Sequence, residues 1–533
     1  MRNRIGTLVI GWFLACLMIS SWAVELPRTG QTSCYDAYGS SIACAGTGHD
    51  GATLAGVPLV SPRFTSHGNG TVTDNMTGLM WSQSANLPAG TKTWQQALDY
   101  VAGMNAGTYA NFGYTDWRLP NVVELLSLVN HESTGPAITS GHPFTNVQSG
   151  STIYYYTSTT TFSGWASSPG GGAWLAQFET GGLATGSKAG TRYVWPVRTG
   201  SGGKITLQKT GQSTSYATRD DGDLEVGVTP PVSRFINHGN GTVTDRFTGL
   251  MWTENSSLSG GTWQQALDYV ANMNTGSNAN FGYTDWRLPN IVDLRSLLDI
   301  ENLNPALTTG HPFTNTTSTR WSSTTVVGTP TKAWSSGVAA GHKAAENKSV
   351  SRNVWPVRSL LAMKLPLPGG KNWLLTVQAG GTVFCGGGTD TYHTGSGYYS
   401  LDFDDYSQQN GSESNVPIYA AASGTVDTGD YGYDASGYGH WVRVNHGNGY
   451  KTLYGHMTAQ SLITSGAVNQ GDQLGTVGST GGSSTGTHLH FQVSYNGSSA
   501  STVAELGLVL MEGLTLNEYA VGCNAYYAST NTQ

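Results

Sequence analysis

Apolar side chains recur at two different periods along this chain of 533 residues. Trp94, Ala97, Leu98, Val101 and Met104 follow one another at three- and four-residue steps, which predicts an amphipathic helix over 93–104. A second short helix is expected over Val122–Val129, after Pro120 has ended an extended stretch. Upstream, Asn69-Gly70 followed by the alternating Thr71-Val72-Thr73 reads as a hairpin turn and a strand. Beyond residue 373 the period becomes two. Leu489, Phe491 and Val493 alternate with His488 and His490, so a strand here turns both histidines to one face and the apolar residues to the other. Ser400 and Asp402 stand opposite Leu401 and Phe403 in the same way, and His456 ends a strand expected over Tyr450–Tyr454.

The helical part of the pattern occurs twice. His67-Gly-Asn-Gly-Thr-Val-Thr-Asp74 returns at His238–Asp245, Thr77-Gly-Leu-Met-Trp81 at Thr248–Trp252, and Thr93-Trp-Gln-Gln-Ala-Leu-Asp-Tyr-Val101 at Thr262–Val270. Asn111-Phe-Gly-Tyr-Thr-Asp-Trp-Arg-Leu-Pro-Asn121 returns at Asn280–Asn290, and each copy closes on Val-Trp-Pro-Val-Arg, at 194–198 and 354–358. Even the lead-ins correspond, Thr29-Gly-Gln against Thr210-Gly-Gln. A unit of roughly 150 residues is too long for a solenoid repeat, so the pattern is a tandem α+β domain. Copies are expected over 24–200 and 201–361, and a mostly antiparallel β domain over 362–533, with Pro366-Leu-Pro-Gly-Gly370 as the linker into it.

The first residues point to export. Arg2 and Arg4 precede an apolar run from Ile5 to Ile19, and Ser21-Trp22-Ala23 offers small residues for cleavage after Ala23. Gly6, Thr7 and Gly11 interrupt a run already short of the ~20 residues a membrane span needs. Cys16 raises lipidation as a rival, which Phe13-Leu14-Ala15 matches poorly. A secreted or periplasmic chain with no membrane span is expected. Composition agrees: charged residues are 11%, aromatics 10% and Gly 72, a profile of tight turns and short strands that excludes disorder. The net charge of −7, with no basic run, excludes nucleic acid as a partner. Without Cys16, four cysteines remain, which suits an oxidising compartment. Pairing Cys34 with Cys44 and Cys385 with Cys523 keeps each bridge inside one domain, the alternative being free buried thiols.

The last domain carries the candidate chemistry in three segments: His393 to Asp402, Tyr454-Gly-His456, and His488-Leu-His490. Zinc takes about four N, S or O ligands, and a catalytic site leaves one position for water. Two His and one carboxylate make such a set and leave two His for acid–base or electrostatic work. Other motifs lead elsewhere. Gly482-Ser-Ser-Thr-Gly486 has the form of a nucleophile elbow but feeds a strand instead of a helix. His446-Gly-Asn-Gly449 repeats the turn at His67 and His238, so it reads as hairpin chemistry. Asp220, Asp221, Asp223 and Glu225 read as a solvated acidic turn ahead of a Ca²⁺ site.

The duplicated motifs resemble the C-terminal domain of a bacterial collagen-like adhesin, the Lcl C-terminal domain family. That resemblance covers about 26–200 and 207–360 and implies extracellular targeting or adhesion modules, with surface glycans as a partner. The order His…Asp, Tyr-Gly-His, His-Leu-His resembles the lysostaphin-type zinc peptidoglycan endopeptidases, including the β-lytic branch. Val416-Pro-Ile-Tyr-Ala-Ala-Ala-Ser-Gly-Thr-Val426, Gly471-Asp-Gln-Leu-Gly-Thr-Val-Gly-Ser-Thr-Gly481 and Ser484-Thr-Gly-Thr-His-Leu-His-Phe491 match the same framework over about 373–500. The resemblance implies Zn²⁺ held by His393, Asp402 and His490 in a sheet-lined groove, with His456 and His488 catalytic and peptidoglycan peptides as substrate. A catalytically inactive wall-binding or regulatory protein, and a protease of Gly-rich extracellular proteins, are the alternatives.

Overall fold

The computed structural model describes residues 24–161, 171–369, 372–377, 400–404, 415–447, 449–484, 486–499, 509–511, 514–515 and 526–528. The expected leader, His393, Cys385 and Cys523 lie outside the described residues. Two compact units result: one over Trp22–Leu360, holding both copies, and one whose described residues begin at Leu361.

The repeated motifs account for the repeated elements. Six helices are described in the first unit: α1 (Asp50–Thr53), α2 (Trp94–Asn105), α3 (Val122–Ser127), α4 (Asp221–Leu224), α5 (Trp263–Asn274) and α6 (Ile291–Ser296). The Thr-Trp-Gln-Gln motif starts α2 and α5 because Thr93 and Gln96, like Thr262 and Gln265, satisfy each other's backbone N–H groups in a capping box. Asn121 with Glu124, and Asn290 with Asp293, do the same at α3 and α6. Trp94, Ala97, Leu98, Val101 and Met104 are all buried, the face expected from their spacing.

Each copy has an antiparallel sheet of four short strands, Phe64–Ser66, Thr71–Asp74, Met80–Ser82 and Val197–Arg198 in the first. The second copy repeats it with Phe235–Asn237, Thr242–Asp245, Leu250–Thr253 and Val357–Ser359. The closing Val-Trp-Pro-Val-Arg motif completes this sheet. Trp195 packs 5.6 Å from Trp81 and donates its indole N–H to Ser82 O, while Arg198 forks onto Asp116 and covers the Tyr114 ring. Trp355 and Arg358 repeat the arrangement with Trp252, Thr253, Asp285 and Tyr283.

The lead-ins are exchanged. Gln31, ahead of the first copy, donates to Thr325 O at 3.0 Å and accepts from Thr325 N at 2.8 Å in the second copy. Gln212 accepts from Thr160 N at 2.8 Å in the first. Asp50 Oδ2 accepts hydroxyl bonds from Thr29 and Thr324, both at 2.7 Å, and Asp221 Oδ2 accepts from Thr210 and Thr159 at 2.7 and 2.6 Å. Burial pushes each of these carboxyls up to about 6. The other acidic groups of that turn also have protein partners: Asp220 caps α4, Asp223 accepts from Arg219 N, and Glu225 pairs with Lys209. Cys34 and Cys44 form a disulfide within the first lead-in, closing a ten-residue separation that has no counterpart in the second.

The C-terminal unit is built on a nine-stranded sheet. Its order is Gly466–Val468, Gly424–Val426, Gly439–Gly447, Tyr450–Met457, Leu489–Tyr495, Ser400–Asp404, Asn372–Val377 and Tyr526–Ala528, with Tyr431–Asp434 paired to Gly439–Gly447. Its ladders are antiparallel; a parallel pairing joins Ala362–Met363 to Leu510–Met511 in a separate small sheet. Leu401, Phe403, Leu489, Phe491, Val493 and Tyr454 make one continuous core with Trp373 and Leu375. The core reaches further upstream than the Pro-Gly signal suggests. Leu365 and Leu367 are fully buried, Lys364 N donates to Ala421 O, and Tyr419 N donates to Pro366 O. This stretch is therefore part of the unit, because alternate leucines point inward while each Pro sits where no N–H is required.

Candidate active site

Three neighbouring strands of the nine-stranded sheet bring the site together. Asp402 is paired in register with His490, and His490 with Gly455, so the acid, the second histidine of His-Leu-His and the residue before His456 lie side by side. Leu401, Phe403, Leu489 and Phe491 fill the core on the opposite face, as the period of two requires. Asp402, His456 and His490 are buried, and the His488 side chain is 15% exposed.

The rings converge. His456 and His488 have centroids 4.7 Å apart, and His456 and His490 5.8 Å. His490 Nδ1 lies 2.9 Å from Asp402 Oδ1, and His488 Nε2 lies 3.7 Å from Asp402 Oδ2. Backbone carbonyls fix two tautomers. His456 donates Nδ1–H to Thr480 O at 2.8 Å, and His488 donates Nδ1–H to Gly486 O at 2.9 Å. In its neutral form each ring therefore carries its lone pair on Nε2. Burial pushes His456 down to about 4, with the neighbouring His488 acting in the same direction, so His456 is neutral at pH 7. Its backbone is left-handed, at φ 58°, held by N–H donation to Tyr438 O at 2.7 Å; a bulky residue adopts that conformation only where its surroundings impose it.

Supporting residues surround this cluster that the histidine pattern does not announce. Thr480 accepts from His456 through its carbonyl, accepts from His440 N, and donates its hydroxyl to Met457 O. Tyr438 lies 5.3 Å from the His490 ring and donates its hydroxyl to Gln492. Nothing in the sequence marks Thr480, since the group it contributes to His456 is one every residue has. Tyr438 could have been found only through its turn, Gly437-Tyr-Gly439.

Metal fit can be tested on Asp402 and His490. A tetrahedral site with ~2.0–2.1 Å bonds places neighbouring ligand atoms about 3.3 Å apart, and N/O donors suit zinc. The 2.9 Å between Asp402 Oδ1 and His490 Nδ1 is within a few tenths of an ångström of that spacing. Among the described residues, no group of three or more His, Cys, Asp or Glu is arranged to hold a metal, and His393 lies outside them. The other histidines of interest are hairpin devices. His67, His238 and His446 each place Nε2 2.8 Å from the hydroxyl of the Thr six residues on, across a hairpin.

An antiparallel sheet thus gathers Asp402, His456 and His490 on adjacent strands, with His488 just before one of them. Residues 405–502 match peptidase family M23, and residues 70–198 and 241–358 match the Lcl C-terminal domain. The chain thus carries two Lcl C-terminal domains ahead of an M23 peptidase domain. The DD-carboxypeptidase/endopeptidase Mpg of Neisseria meningitidis serogroup B is 39% identical over 89 residues, 17% of this chain and 20% of that protein. The peptidoglycan DD-endopeptidase ShyC of Vibrio cholerae is 38% identical over 82 residues, 15% of this chain and 18% of that one. Protease LasA of Pseudomonas aeruginosa is 33% identical over 144 residues, 25% of this chain and 32% of that one. The chain therefore spans between about a fifth and a third of the length of these curated relatives. Among the described residues, no helix is long and apolar enough to cross a membrane.

Proposed function

We propose that this chain is an exported zinc endopeptidase that hydrolyses peptide cross-links of bacterial peptidoglycan, with its repeats acting as targeting or adhesion modules. The observation that carries this reading is the convergence of Asp402, His456 and His490 on adjacent strands, with His488 just before one of them. His393, Asp402 and His490 would hold the zinc. When bound, zinc supplies a Lewis acid that polarises a carbonyl and brings the acidity of water near neutral pH. His456 and His488 supply the proton chemistry. Each is positioned by a backbone carbonyl on Nδ1 and presents Nε2 inward. One of them takes a proton from the attacking water and returns it to the leaving amine, and the other, when protonated on Nε2, donates that N–H to the oxyanion of the tetrahedral intermediate.

The test is release of new amino termini from purified peptidoglycan, by the wild-type chain and by His488→Ala at matched zinc content. Release should fall by about 10²–10⁴-fold in the variant, as loss of a general acid or base does. Zinc bound by both with termini released by neither would replace this reading with a wall-binding role.

A further inference from the structure

The two copies differ at one turn, and the difference opens a cavity. The turns entering α1 and α4 correspond residue by residue: His49 and Asp220 stand at the N-caps, and Leu54 and Glu225 end the helices at φ 47° and 44°. Two residues before each helix stand Gly48 and Arg219, both at φ 70°. Arg219, in the lead-in of the second copy, sends its guanidinium onto the framework of the first copy, where Nη2 donates to Trp117 O at 2.8 Å. Asn105 Nδ2 donates to the same carbonyl at 2.8 Å, so both lone pairs of that oxygen are used.

On the framework of the second copy the carbonyl of Trp286 accepts from Asn274 Nδ2 at 2.7 Å, but Gly48, from the lead-in of the first copy, brings no side chain. A cavity of about 440 Å³ lies there, between the turn of residues 46–49, α5 and Trp286–Leu288. That volume is in the range of small-molecule sites. Its wall suits a cation on an apolar stem. Leu267 and Ala271 offer the stem a surface, and Asp268 provides a carboxylate, fixed by Gln264 Nε2 at 2.9 Å. The basic groups nearby are accounted for. Arg287 is bound to Asp293, Lys348 donates to Tyr35 O and Asp36 O, and His49 is kept neutral by burial and by Lys348, which bring it down to about 4. His49 is also 2% exposed with its Nδ1 lacking a hydrogen-bond partner.

We propose that this cavity binds an arginine side chain of another molecule, its guanidinium taking at Trp286 O the place that Arg219 takes at Trp117 O. The first copy's framework is then the occupied form of the same site, filled by the second copy's lead-in. This site is independent of the peptidase chemistry, so failure of either idea leaves the other standing.

The full chain would be titrated with N-acetylargininamide and with its neutral isostere N-acetylcitrullinamide, followed by calorimetry. One equivalent of the arginine compound should bind, at least tenfold tighter than the citrulline compound. Gly48→Arg should abolish binding, because the equivalent left-handed backbone at position 219 already accepts arginine. Arg219→Gly should raise the stoichiometry from one to two, and Asp268→Asn should weaken the site several-fold without disturbing the turn. No binding, equal binding of the two compounds, or a stoichiometry indifferent to both turn substitutions would overturn the proposal.

Discussion

His456 shows how much of a candidate site residue's behaviour comes from its neighbours. Its type and position are plain in Tyr454-Gly-His456, as are those of Asp402, His488 and His490, because alternation on a strand assigns each to a face. Its ring orientation is set by Thr480 O, and Thr480 is in turn held against Gly439, where a β-carbon would lie 2.2 Å from the same carbonyl oxygen. That approach was not legible, since a glycine in a Gly-rich loop looks like any other. Gly439 is also left-handed, at φ 63°. Gly439→Ala should therefore push Thr480 away from His456 and lower peptidoglycan cleavage by about 10²-fold, as ångström-scale misplacement does. Zinc content should stay at the wild-type level, because neither residue is a proposed ligand. An unchanged rate at equal zinc would show that the carbonyl does not position the ring.

Among elements, those with local signals were legible and those held by distant partners were not. Capping boxes, hairpin turns and the apolar stripe of α2 are written within a few residues of one another. The exchange of lead-ins is not, because Gln31 meets Thr325 and Asp50 meets Thr324 across nearly the whole first unit. Two residues at the start of α1 respond to pH in opposite directions. Asp50, raised from 3.8 to about 6, takes up a proton in the folded state that the unfolded chain does not hold, so it favours folding as pH falls from 6 toward 4. His49, lowered from 6.5 to about 4, favours folding as pH rises over the same interval. The sum is nearly flat, so the test must isolate one of them. Asp50→Asn keeps an oxygen for Thr29 and Thr324 and removes the titration. Relative to wild type, the variant should gain up to about 3 kcal/mol between pH 4 and pH 7, the worth of a two-unit shift in a buried group. Urea denaturation of the first unit at the two pH values reads this directly, and a variant whose relative stability is the same at both would rule it out.

At the scale of the molecule, the boundary of the C-terminal unit is the feature the sequence obscures. Pro366, Pro368, Gly369 and Gly370 carry a linker composition, and the match to the peptidase family begins later, at residue 405. Burial places the start of the unit at Leu361, where Met363, Leu365 and Leu367 enter its core. Each leucine fully removed from water is worth roughly 1.5–3 kcal/mol, so two of them account for about 3–6 kcal/mol against a typical total of about 5–15. A chain beginning at residue 361 should unfold cooperatively and cleave purified peptidoglycan as the full chain does, while binding whole cells less well for want of the repeats. A chain beginning at residue 373 lacks both leucines and the bonds at Lys364 and Pro366, and should melt more than 10 °C lower, since ~1 kcal/mol moves a domain of this size by about 2–4 °C. The comparison separates two roles for the residues between the last repeat and Trp373. If the shorter chain melts and cleaves like the longer one, the stretch is a tether and the core is complete without it; if it collapses, the peptidase unit is defined by packing that family resemblance does not reach.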